Sequence, residues 1–269
     1  MSHFSRDGFS IHYETHGSGL PVVLLHGICV SFAGNFGAYG WIERLRGQGL
    51  RVIGMDFRGH GQSDKPHDSS AYGTTHLADD VIALLDHLGL DRVSLMGYSL
   101  GSVVALHLLH THPERFTRGV LIATGDGLIG LPPFTQAEIA PKLAQALDRP
   151  DYPADLPKHV ATYWSFATKV SGDRVAAAVA ARADYPPCTL AEAGNVNCPV
   201  LVVSGELDPV LGTGPRLAQA VPRGRYLEIP QADHFNLTLN EQAQFAVADF
   251  LSAPEDDQTV GDRVQQSGL

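Results

Sequence analysis

The sequence predicts an α/β fold in which helices cover both faces of a mostly parallel sheet. Short apolar segments that end at glycine or turn residues alternate with segments of helical period, which is the pattern of such a sheet. The apolar segments have little polar interruption, as expected for strands that are buried on both faces. The predicted strands are residues 21–25, 51–55, 93–96, 120–123, 200–203 and 226–229.

An edge hairpin and four helices complete the predicted core. Residues 9–13 alternate apolar and polar positions, with Phe9, Ile11 and Tyr13 on one face, so this segment predicts a half-exposed antiparallel hairpin. Apolar residues recur at helical spacing in the segments between strands. The predicted helices are residues 76–88, 100–112, 214–220 and 240–251.

A long insertion interrupts the alternation of strands and helices. Residues 125–197 are rich in Ala and Pro, contain no clear strand, and include three helix-like pieces. The pieces are residues 136–147, 156–168 and 173–183. An insertion at this place predicts a helical cap over the carboxyl ends of the strands, where open α/β sheets bind ligands. The predicted organisation is a core of residues 1–124 and 198–253, a cap of residues 125–197, and a polar, acidic tail of residues 254–269 that we expect to be disordered.

Composition narrows the classes of function. The 269 residues include 19 basic and 29 acidic ones, a formal net charge of −10, and no cluster of Lys and Arg, so we expect no nucleic-acid partner. The first residues lack the order of a secretory signal, and no apolar run reaches the roughly 18 residues of a membrane span, so we expect a cytoplasmic protein without a membrane partner. Three cysteines without a CxxC spacing predict neither a disulfide framework nor a zinc site. The sequence does not predict an oligomeric state.

The strongest chemical motif is Gly97-Tyr98-Ser99-Leu100-Gly101, which lies between a predicted strand and a predicted helix. A sharp turn at this place would expose the Ser99 hydroxyl. Glycines are needed on both sides of the turn because a Cβ atom there would collide with neighbouring backbone. We therefore predict that Ser99 is a catalytic nucleophile.

A serine hydroxyl is a weak nucleophile, so it needs a general base and an acid that orients the base. His234 lies in a loop between the last predicted strand and the last predicted helix, where a histidine has no packing role, and is the predicted base. Asp208 follows the strand at residues 200–203 and is the predicted acid, which fixes the imidazole tautomer. Asp126 and Glu206 also lie after predicted strands and are alternatives to Asp208.

Two backbone amides are predicted to form an oxyanion hole, because amides that already point at the developing negative charge stabilise it without reorganisation. The amide of Leu100 follows the nucleophile at a helix N-terminus. The amide of Ile28 follows His26-Gly27 at the end of the first long apolar strand. Gly27 and Cys29 would then lie beside the substrate, and Cys29 needs no catalytic role.

Four motifs occur together within residues 9–251. They are Leu24-Leu25-His26-Gly27, Asp56-Phe57-Arg58-Gly59-His60-Gly61-Gln62-Ser63, Gly97-Tyr98-Ser99-Leu100-Gly101, and the Asp208 and His234 loops in the order Ser, Asp, His. Their joint occurrence makes the chain resemble the α/β-hydrolase family, and in particular its serine carboxylesterases and lactonases. The resemblance implies an eight-stranded sheet with a helical cap, no cofactor or metal, and an acyl-enzyme formed on Ser99. Ser102 departs from the family pattern, since many relatives have a further glycine there.

The predicted cap has an apolar, aromatic character, which favours a small apolar or weakly polar acyl substrate. The residues that give it this character are Leu128, Ile129, Leu131, Pro133, Phe134, Tyr163, Trp164 and Phe166. Of these, Leu128, Phe134 and Trp164 are the predicted substrate contacts, in addition to Gly27 and Cys29.

The leading hypothesis is therefore hydrolysis of a carboxylic ester or lactone. The family that the chain resembles also contains dehalogenases and epoxide hydrolases, but these have Asp at the nucleophile position, so Ser99 argues against them. Carbon–carbon bond hydrolysis and cofactor-free perhydrolysis use the same triad and stay open. A non-enzymatic receptor for a small ligand is a further alternative, because such a receptor can retain an intact triad.

Overall fold

The protein is built around a mostly parallel sheet of eight strands. The computed structural model describes residues 2–131 and 136–254. The strands are β1 (Ser2–Arg6), β2 (Phe9–His16), β3 (Leu20–Leu25), β4 (Leu50–Met55), β5 (Val93–Tyr98), β6 (Phe116–Ile122), β7 (Val200–Gly205) and β8 (Gly224–Ile229). Their spatial order is β1-β2-β4-β3-β5-β6-β7-β8. β2 pairs antiparallel with β1 and β4, and the remaining pairs are parallel. The predicted fold class and the antiparallel edge hairpin are confirmed.

The edge hairpin is longer than predicted because it includes β1. Asp7 and Gly8 connect β1 to β2, and their φ angles are 51° and 82°. A two-residue turn with positive φ at both positions matches the twist of an antiparallel pair, and Asp-Gly is a favoured sequence for it. Phe4 is the one buried residue of β1, so this strand has no apolar alternation that the sequence could reveal.

Helices flank both faces of the sheet. They are α1 (Trp41–Gly47), α2 (Thr74–His87), α3 (Leu100–Thr111), α4 (Gln136–Asp148), α5 (Lys158–Phe166), α6 (Arg174–Ala181), α7 (Leu190–Ala193), α8 (Pro215–Ala220) and α9 (Glu241–Ser252). The sequence prediction lacks α1 and α7, since both are too short for an apolar period to repeat. The helix predicted at residues 156–168 is divided into α5 and a π-helical turn, Ala167–Ser171.

The central strands are buried on both faces, as predicted. Val22 and Leu24 of β3 belong to one apolar layer, whereas Val23 and Leu25 belong to the layer on the opposite face. This division follows from the two-residue period of a strand. Residues of α1 and α9 complete the first layer, and residues of α2, α3 and α8 contribute to the second.

The helices α4, α5 and α6 lie in the segment that the sequence predicts to be a cap. The division of the chain into core and cap stays a prediction. Residues 255–269, which hold the predicted disordered tail apart from Pro254, lie outside the described residues. Within the described part of the chain, no helix has the length and apolar character that crossing a membrane requires.

The parallel strands bring four loops to one edge of the sheet. Because β3, β5, β7 and β8 run in the same direction, the segments that follow them meet at the carboxyl ends of the strands. These segments carry Ile28, Ser99, Asp208 and His234. Residues that are more than two hundred positions apart in the sequence can therefore contact each other.

Candidate active site

Ser99 occupies a sharp turn between β5 and α3. Its φ angle of 53° is in the left-handed region, which non-glycine residues rarely adopt, so the turn is strained. A Cβ atom on Gly97 would lie 2.2 Å from the carbonyl oxygen of Gly101, and one on Gly101 would lie 2.1 Å from the carbonyl oxygen of Leu25. The two glycines are therefore required by close backbone contacts, which is the reason that the sequence predicts for them.

Ser102, the departure from the family pattern, holds this turn to the neighbouring strand. Its side chain is fully buried, and its hydroxyl oxygen lies 2.9 Å from the carbonyl oxygens of both Gly97 and Ile122. The same oxygen accepts a hydrogen bond from the amide of Ile122, at 3.0 Å. A glycine here could make none of these contacts, so Ser102 adds a side-chain connection between the turn and β6.

Ser99, His234 and Asp208 form a continuous hydrogen-bonded chain. The Ser99 hydroxyl lies 3.0 Å from Nε2 of His234, and Nδ1 of His234 lies 2.8 Å from Oδ2 of Asp208. A carboxylate accepts a hydrogen bond, so Nδ1 carries the proton and Nε2 is free to accept one from Ser99. All three residues are buried. This arrangement can move the serine proton to the imidazole while the carboxylate stabilises the resulting charge.

The His234 loop is held from both sides. Tyr98, the residue before the nucleophile, donates its hydroxyl proton to the carbonyl oxygen of His234 at 2.6 Å. The carboxylate of Asp233 accepts from the amides of Phe235 and Asn236, at 2.9 and 2.8 Å. The backbone of His234 is thus fixed by local turn geometry and by a contact to the Ser99 turn.

Asp208 is oriented by its own loop. Its Oδ1 atom accepts hydrogen bonds from the amides of Val210 and Leu211, at 2.7 and 3.0 Å, which leaves Oδ2 for His234. Burial acts to raise the pKa of Asp208, but the His234 charge and these hydrogen bonds outweigh it and hold the pKa below its usual value. The carboxyl group is therefore ionised at neutral pH.

The two alternative acids have other partners. Oδ1 of Asp126 accepts from the amides of Arg216 and Leu217, at 3.0 and 2.9 Å, so this side chain caps the N-terminus of α8. Glu206 is exposed, and its carboxylate accepts from the backbone and side chain of Gln231, at 2.9 and 3.2 Å. Of the three candidates, only Asp208 is hydrogen-bonded to His234.

The two predicted oxyanion donors border the space beside Ser99. Leu100 is the first residue of α3, so its amide has no partner within the helix. Ile28 lies opposite, and both residues line a cavity that Ser99 also lines. The amide of Gly27 is taken, because it donates to the side-chain oxygen of Asn35 at 2.9 Å. The amides of Ile28 and Leu100 therefore stay the predicted oxyanion donors.

A neutral histidine anchors the loop that carries Ile28. Nδ1 of His26 lies 2.6 Å from the carbonyl oxygen of Gly27, and Nε2 lies 3.0 Å from the amide nitrogen of Phe57. A carbonyl only accepts and an amide only donates, so Nδ1 carries the proton and Nε2 does not. Burial lowers the pKa of His26, in agreement with this neutral state. The loop is thereby tied to the segment that follows β4.

The motif at residues 56–63 has a supporting role. Oδ1 of Asp56 accepts from the amide of Phe32 at 2.7 Å, and Oδ2 accepts from Nδ1 of His12 at 2.9 Å. Arg58 forms a two-point ion pair with Asp80, with distances of 2.7 and 2.5 Å, and both side chains are buried. Among the described residues that line the cavities beside Ser99, none of these side chains occurs. The motif therefore stabilises the loops near the site through hydrogen bonds and an ion pair.

Two adjoining cavities meet at Ser99, with volumes of about 130 and 60 Å³. The larger is lined by Gly27, Ile28, Val30, Gly34, Asn35, Tyr39, Tyr98, Ser99, Tyr163, Phe166, Val170, His234, Phe235, Thr238 and Leu239. The smaller is lined by Ile28, Ser99, Leu100, Val103, Leu143, Tyr163, Ala181, Tyr185, Val210 and Leu211. Among these residues there is no Asp, Glu, Lys or Arg, so the walls offer an apolar surface with a few hydroxyl and amide groups.

Three of the five predicted substrate contacts, Cys29, Leu128 and Trp164, are not among the residues that line the two cavities beside Ser99. Cys29 is fully buried in the apolar core, where burial raises the pKa of its thiol. Leu128 lines a separate cavity, and the indole N–H of Trp164 donates to the carbonyl oxygen of Arg149 at 2.9 Å. Gly27 does line the larger cavity. Phe134 lies outside the described residues.

The helical side of the cavities is formed mainly by α5 and the turn after it. Tyr163 lines both cavities, and its ring lies 5.3 Å from that of Phe235. Burial, and then the negative charge of Asp208, raises the pKa of Tyr163, so its hydroxyl stays protonated beside Ser99. Phe166 and Val170 follow on the same side. The sequence predicts Tyr163 and Phe166 among the aromatic residues of the cap, but no sequence pattern indicates Val170.

A sequence profile described as "alpha/beta hydrolase fold" matches residues 21–168, more than half of the chain. The chain therefore belongs to the α/β-hydrolase family, as the motifs indicate. It is an α/β-hydrolase with esterases and lactonases among its structural neighbours.

The curated relatives and the solved structures that match the chain include different members of this family. Over 120 residues, the chain is 38% identical to epoxide hydrolase B of Mycobacterium tuberculosis (strain ATCC 25618 / H37Rv), with 42% of this chain and 32% of the relative covered. The chain spans about a third of the length of the curated relatives that it matches. Est816, described as an N-acyl homoserine lactone degrading enzyme, is 29% identical with a TM-score of 0.70, and 91% of this chain and 97% of that chain are covered. The enol-lactonase of Burkholderia xenovorans LB400 is 25% identical with a TM-score of 0.70, and the coverage is 94% and 100%.

Proposed function

We propose that the chain is a serine hydrolase that cleaves a carboxylic ester or lactone of a small apolar substrate through an acyl-enzyme intermediate. The single observation that carries the proposal is the hydrogen-bonded chain from Ser99 through His234 to Asp208, with distances of 3.0 and 2.8 Å. This is the order of groups that activates a serine hydroxyl for attack on a carbonyl carbon.

The first half of the reaction forms the acyl-enzyme. As Oγ of Ser99 bonds to the carbonyl carbon, its proton passes to Nε2 of His234, and the amides of Ile28 and Leu100 stabilise the negative oxygen. The bond to the leaving oxygen then breaks, and His234 returns the proton to that oxygen. In the second half, His234 takes a proton from water, the hydroxide attacks the acyl carbon, and Ser99 leaves with its proton restored.

The serine nucleophile separates this chemistry from epoxide opening. Attack of a carboxylate on an epoxide gives an ester, which water can hydrolyse in a second step. Attack of Ser99 on an epoxide would give an ether, which the same base and oxyanion donors could not hydrolyse. The epoxide hydrolase names of several relatives therefore do not transfer to this chain.

The walls of the two cavities support an uncharged substrate. No Asp, Glu, Lys or Arg is among the described lining residues, and the total space of the two cavities suits a small molecule. The names of two structural neighbours, a lactone-degrading enzyme and an enol-lactonase, support a lactone as one of the two proposed substrate classes. In this proposal the protonated hydroxyl of Tyr163, which lines both cavities, donates a hydrogen bond to a substrate oxygen.

The test is hydrolysis of p-nitrophenyl esters of increasing acyl length and of N-acyl homoserine lactones. We expect turnover by the wild type and a fall in kcat of about 10⁴-fold or more for Ser99→Ala. Ser94→Ala is the matched control, because Ser94 lies on β5, the strand that leads to Ser99, and contacts Thr117 instead of His234. Near wild-type turnover by Ser99→Ala, or cleavage of diketones or formation of peroxy acids without ester or lactone hydrolysis, would contradict the proposal.

A further inference from the structure

We propose that His110, Cys188 and Glu192 form a binding site for zinc or a similar divalent transition-metal ion. This site is separate from the candidate active site. Their ligand atoms are an imidazole nitrogen, a thiol sulfur and a carboxylate oxygen, and these atoms all lie within 4.8 Å of one another. All three side chains are half-buried, so they are reachable from solvent. They line one surface cavity of about 230 Å³, which does not include Ser99.

Three separate parts of the fold supply these ligands. His110 lies in the last turn of α3, Cys188 lies in the segment between α6 and α7, and Glu192 lies in α7. The amide of Cys188 donates to the carbonyl oxygen of Leu128 at 2.8 Å, which fixes the backbone that carries the thiol. The site depends on tertiary packing, so the spacing of the cysteines gives no sign of it.

Glu192 is already oriented by a hydrogen-bonded cap. Its Oε2 atom accepts from the amide and the hydroxyl of Thr189, at 2.7 and 2.8 Å. This leaves the second carboxylate oxygen, Oε1, for another partner. Carboxylates that bind metals are commonly fixed by such an outer hydrogen bond, which orients the ligand and limits its motion.

A second histidine can complete the ligand set. His107 lies one helical turn before His110, their ring centroids are 5.2 Å apart, and His107 lines the same cavity. Zinc takes four ligands in a tetrahedral arrangement, so His107 or a water molecule would supply the fourth.

The donor set selects the class of cation. Bonds to zinc of about 2.0–2.3 Å place tetrahedral ligand atoms roughly 3.3–3.8 Å apart. Because the three ligand atoms lie within 4.8 Å of one another, their side chains would need to shift by about 1 Å to bind the ion. Sulfur and imidazole ligands favour zinc and similar transition metals, whereas magnesium and calcium prefer oxygen ligands alone. As the sulfur–metal bond of Cys188 forms, the thiol proton is released to the buffer.

The experiment is a titration of the full chain with Co²⁺ and then Zn²⁺, after treatment with a chelator. We expect one Co²⁺ per chain, visible absorption typical of tetrahedral cobalt, and a near-ultraviolet sulfur-to-cobalt charge-transfer band that Zn²⁺ removes. Cys188→Ser should abolish the charge-transfer band, and His110→Ala and Glu192→Gln should each weaken binding at least tenfold. Calcium should not compete.

Matched variants separate this site from adventitious binding. Cys198→Ser and His112→Ala change a cysteine and a histidine outside the cluster, so they should bind Co²⁺ like the wild type. A charge-transfer band that persists in Cys188→Ser would overturn the proposal. If that variant fails to fold, alkylation of the wild type decides: Zn²⁺ should protect Cys188 from iodoacetamide, and equal alkylation with and without Zn²⁺ would contradict the site.

Discussion

The two sides of the cavity beside Ser99 are built in different ways. On the sheet side, the loops after the strands are held by close backbone contacts and buried hydrogen bonds, such as those of Ser102 and Asp208. On the helical side, Tyr163, Phe166 and Val170 contribute side-chain surface. Under the proposed function, the reaction would depend on backbone positions that tolerate little change, whereas the choice of substrate would depend on side chains that can be exchanged.

Replacement of Asp208 on the sheet side should have the largest effect. Asp208→Asn keeps the shape of the side chain, but its amide can donate to Nδ1 of His234 and so favour the wrong imidazole tautomer. We expect kcat for ester hydrolysis to fall by about 10³–10⁴-fold, measured with a p-nitrophenyl ester.

The alternative acids are the controls for this prediction. Asp126→Asn and Glu206→Gln should leave kcat within a few-fold of wild type, because neither residue contacts His234. A loss in either control that equals the loss in Asp208→Asn would show that the site is oriented differently from this account.

The close backbone contacts of the Ser99 turn should appear as a stability effect. A Cβ atom at Gly101 would lie 2.1 Å from a backbone oxygen, so Gly101→Ala should lower the free energy of unfolding in urea by about 3 kcal/mol. Gly47→Ala is the control, since no atom lies within 4 Å of its Cβ position, and it should raise stability by about 0.5–1 kcal/mol. Equal stability of Gly101→Ala and wild type would refute the contact.

The buried histidines under the site should make stability depend on pH. Burial, reinforced by His26, lowers the pKa of His60 to about 3. Between pH 6.5 and that value the unfolded chain binds a proton that the folded chain does not, so stability is fully present above pH 6.5 and falls as the pH is lowered. From pH 7 to pH 5, His60 should account for a loss of about 2 kcal/mol.

Urea unfolding of His60→Gln at pH 7 and pH 5 measures this contribution. The loss of stability between the two pH values should be about 2 kcal/mol smaller than in the wild type. His76→Gln, which changes an exposed histidine, should retain the wild-type loss. The same pH dependence in His60→Gln and wild type would contradict the prediction.

Changes on the helical side should have the smallest effect and should alter selectivity. Tyr163→Ala enlarges both cavities, so the ratio of kcat/KM for a long-chain ester to that for the acetate should rise about tenfold. Trp164 is the next residue of α5 and is not among the residues that line either cavity, so Trp164→Ala should leave the ratio unchanged. A larger change in Trp164→Ala than in Tyr163→Ala would show that the cavity walls are assigned wrongly.

The sheet side could be predicted from the sequence because its determinants are local in the chain. Gly97 and Gly101 flank Ser99, and the clashes that they avoid involve adjacent residues and the neighbouring strand. The positions of the core strands along the chain and the position of the Ser99 turn follow from the same apolar segments. The sequence favours Asp208 as the acid but leaves Asp126 as an alternative, since both follow strands and only the packing of the loops decides which one contacts His234.

The helical side could not be predicted to the level of single residues. Successive residues of a helix point about 100° apart. Tyr163 and Trp164 are both aromatic and adjacent, but only Tyr163 is among the residues that line the two cavities. The rotation of α5 about its axis is set by packing against residues such as Phe235, which are distant in the sequence. The position of Cys29 in the chain predicts a place beside the substrate, whereas its side chain is fully buried in an apolar cluster.

The most direct test of the account is the site of covalent modification by an organophosphonate ester. After incubation of the full chain, mass spectrometry of its tryptic peptides should show one phosphonyl adduct, on Ser99, with loss of activity in proportion to labelling. The adduct should form far more slowly in His234→Ala, because the hydroxyl then lacks a base. Labelling at another residue, or full labelling of Ser99 with esterase activity retained, would contradict the assignment of Ser99 as the nucleophile.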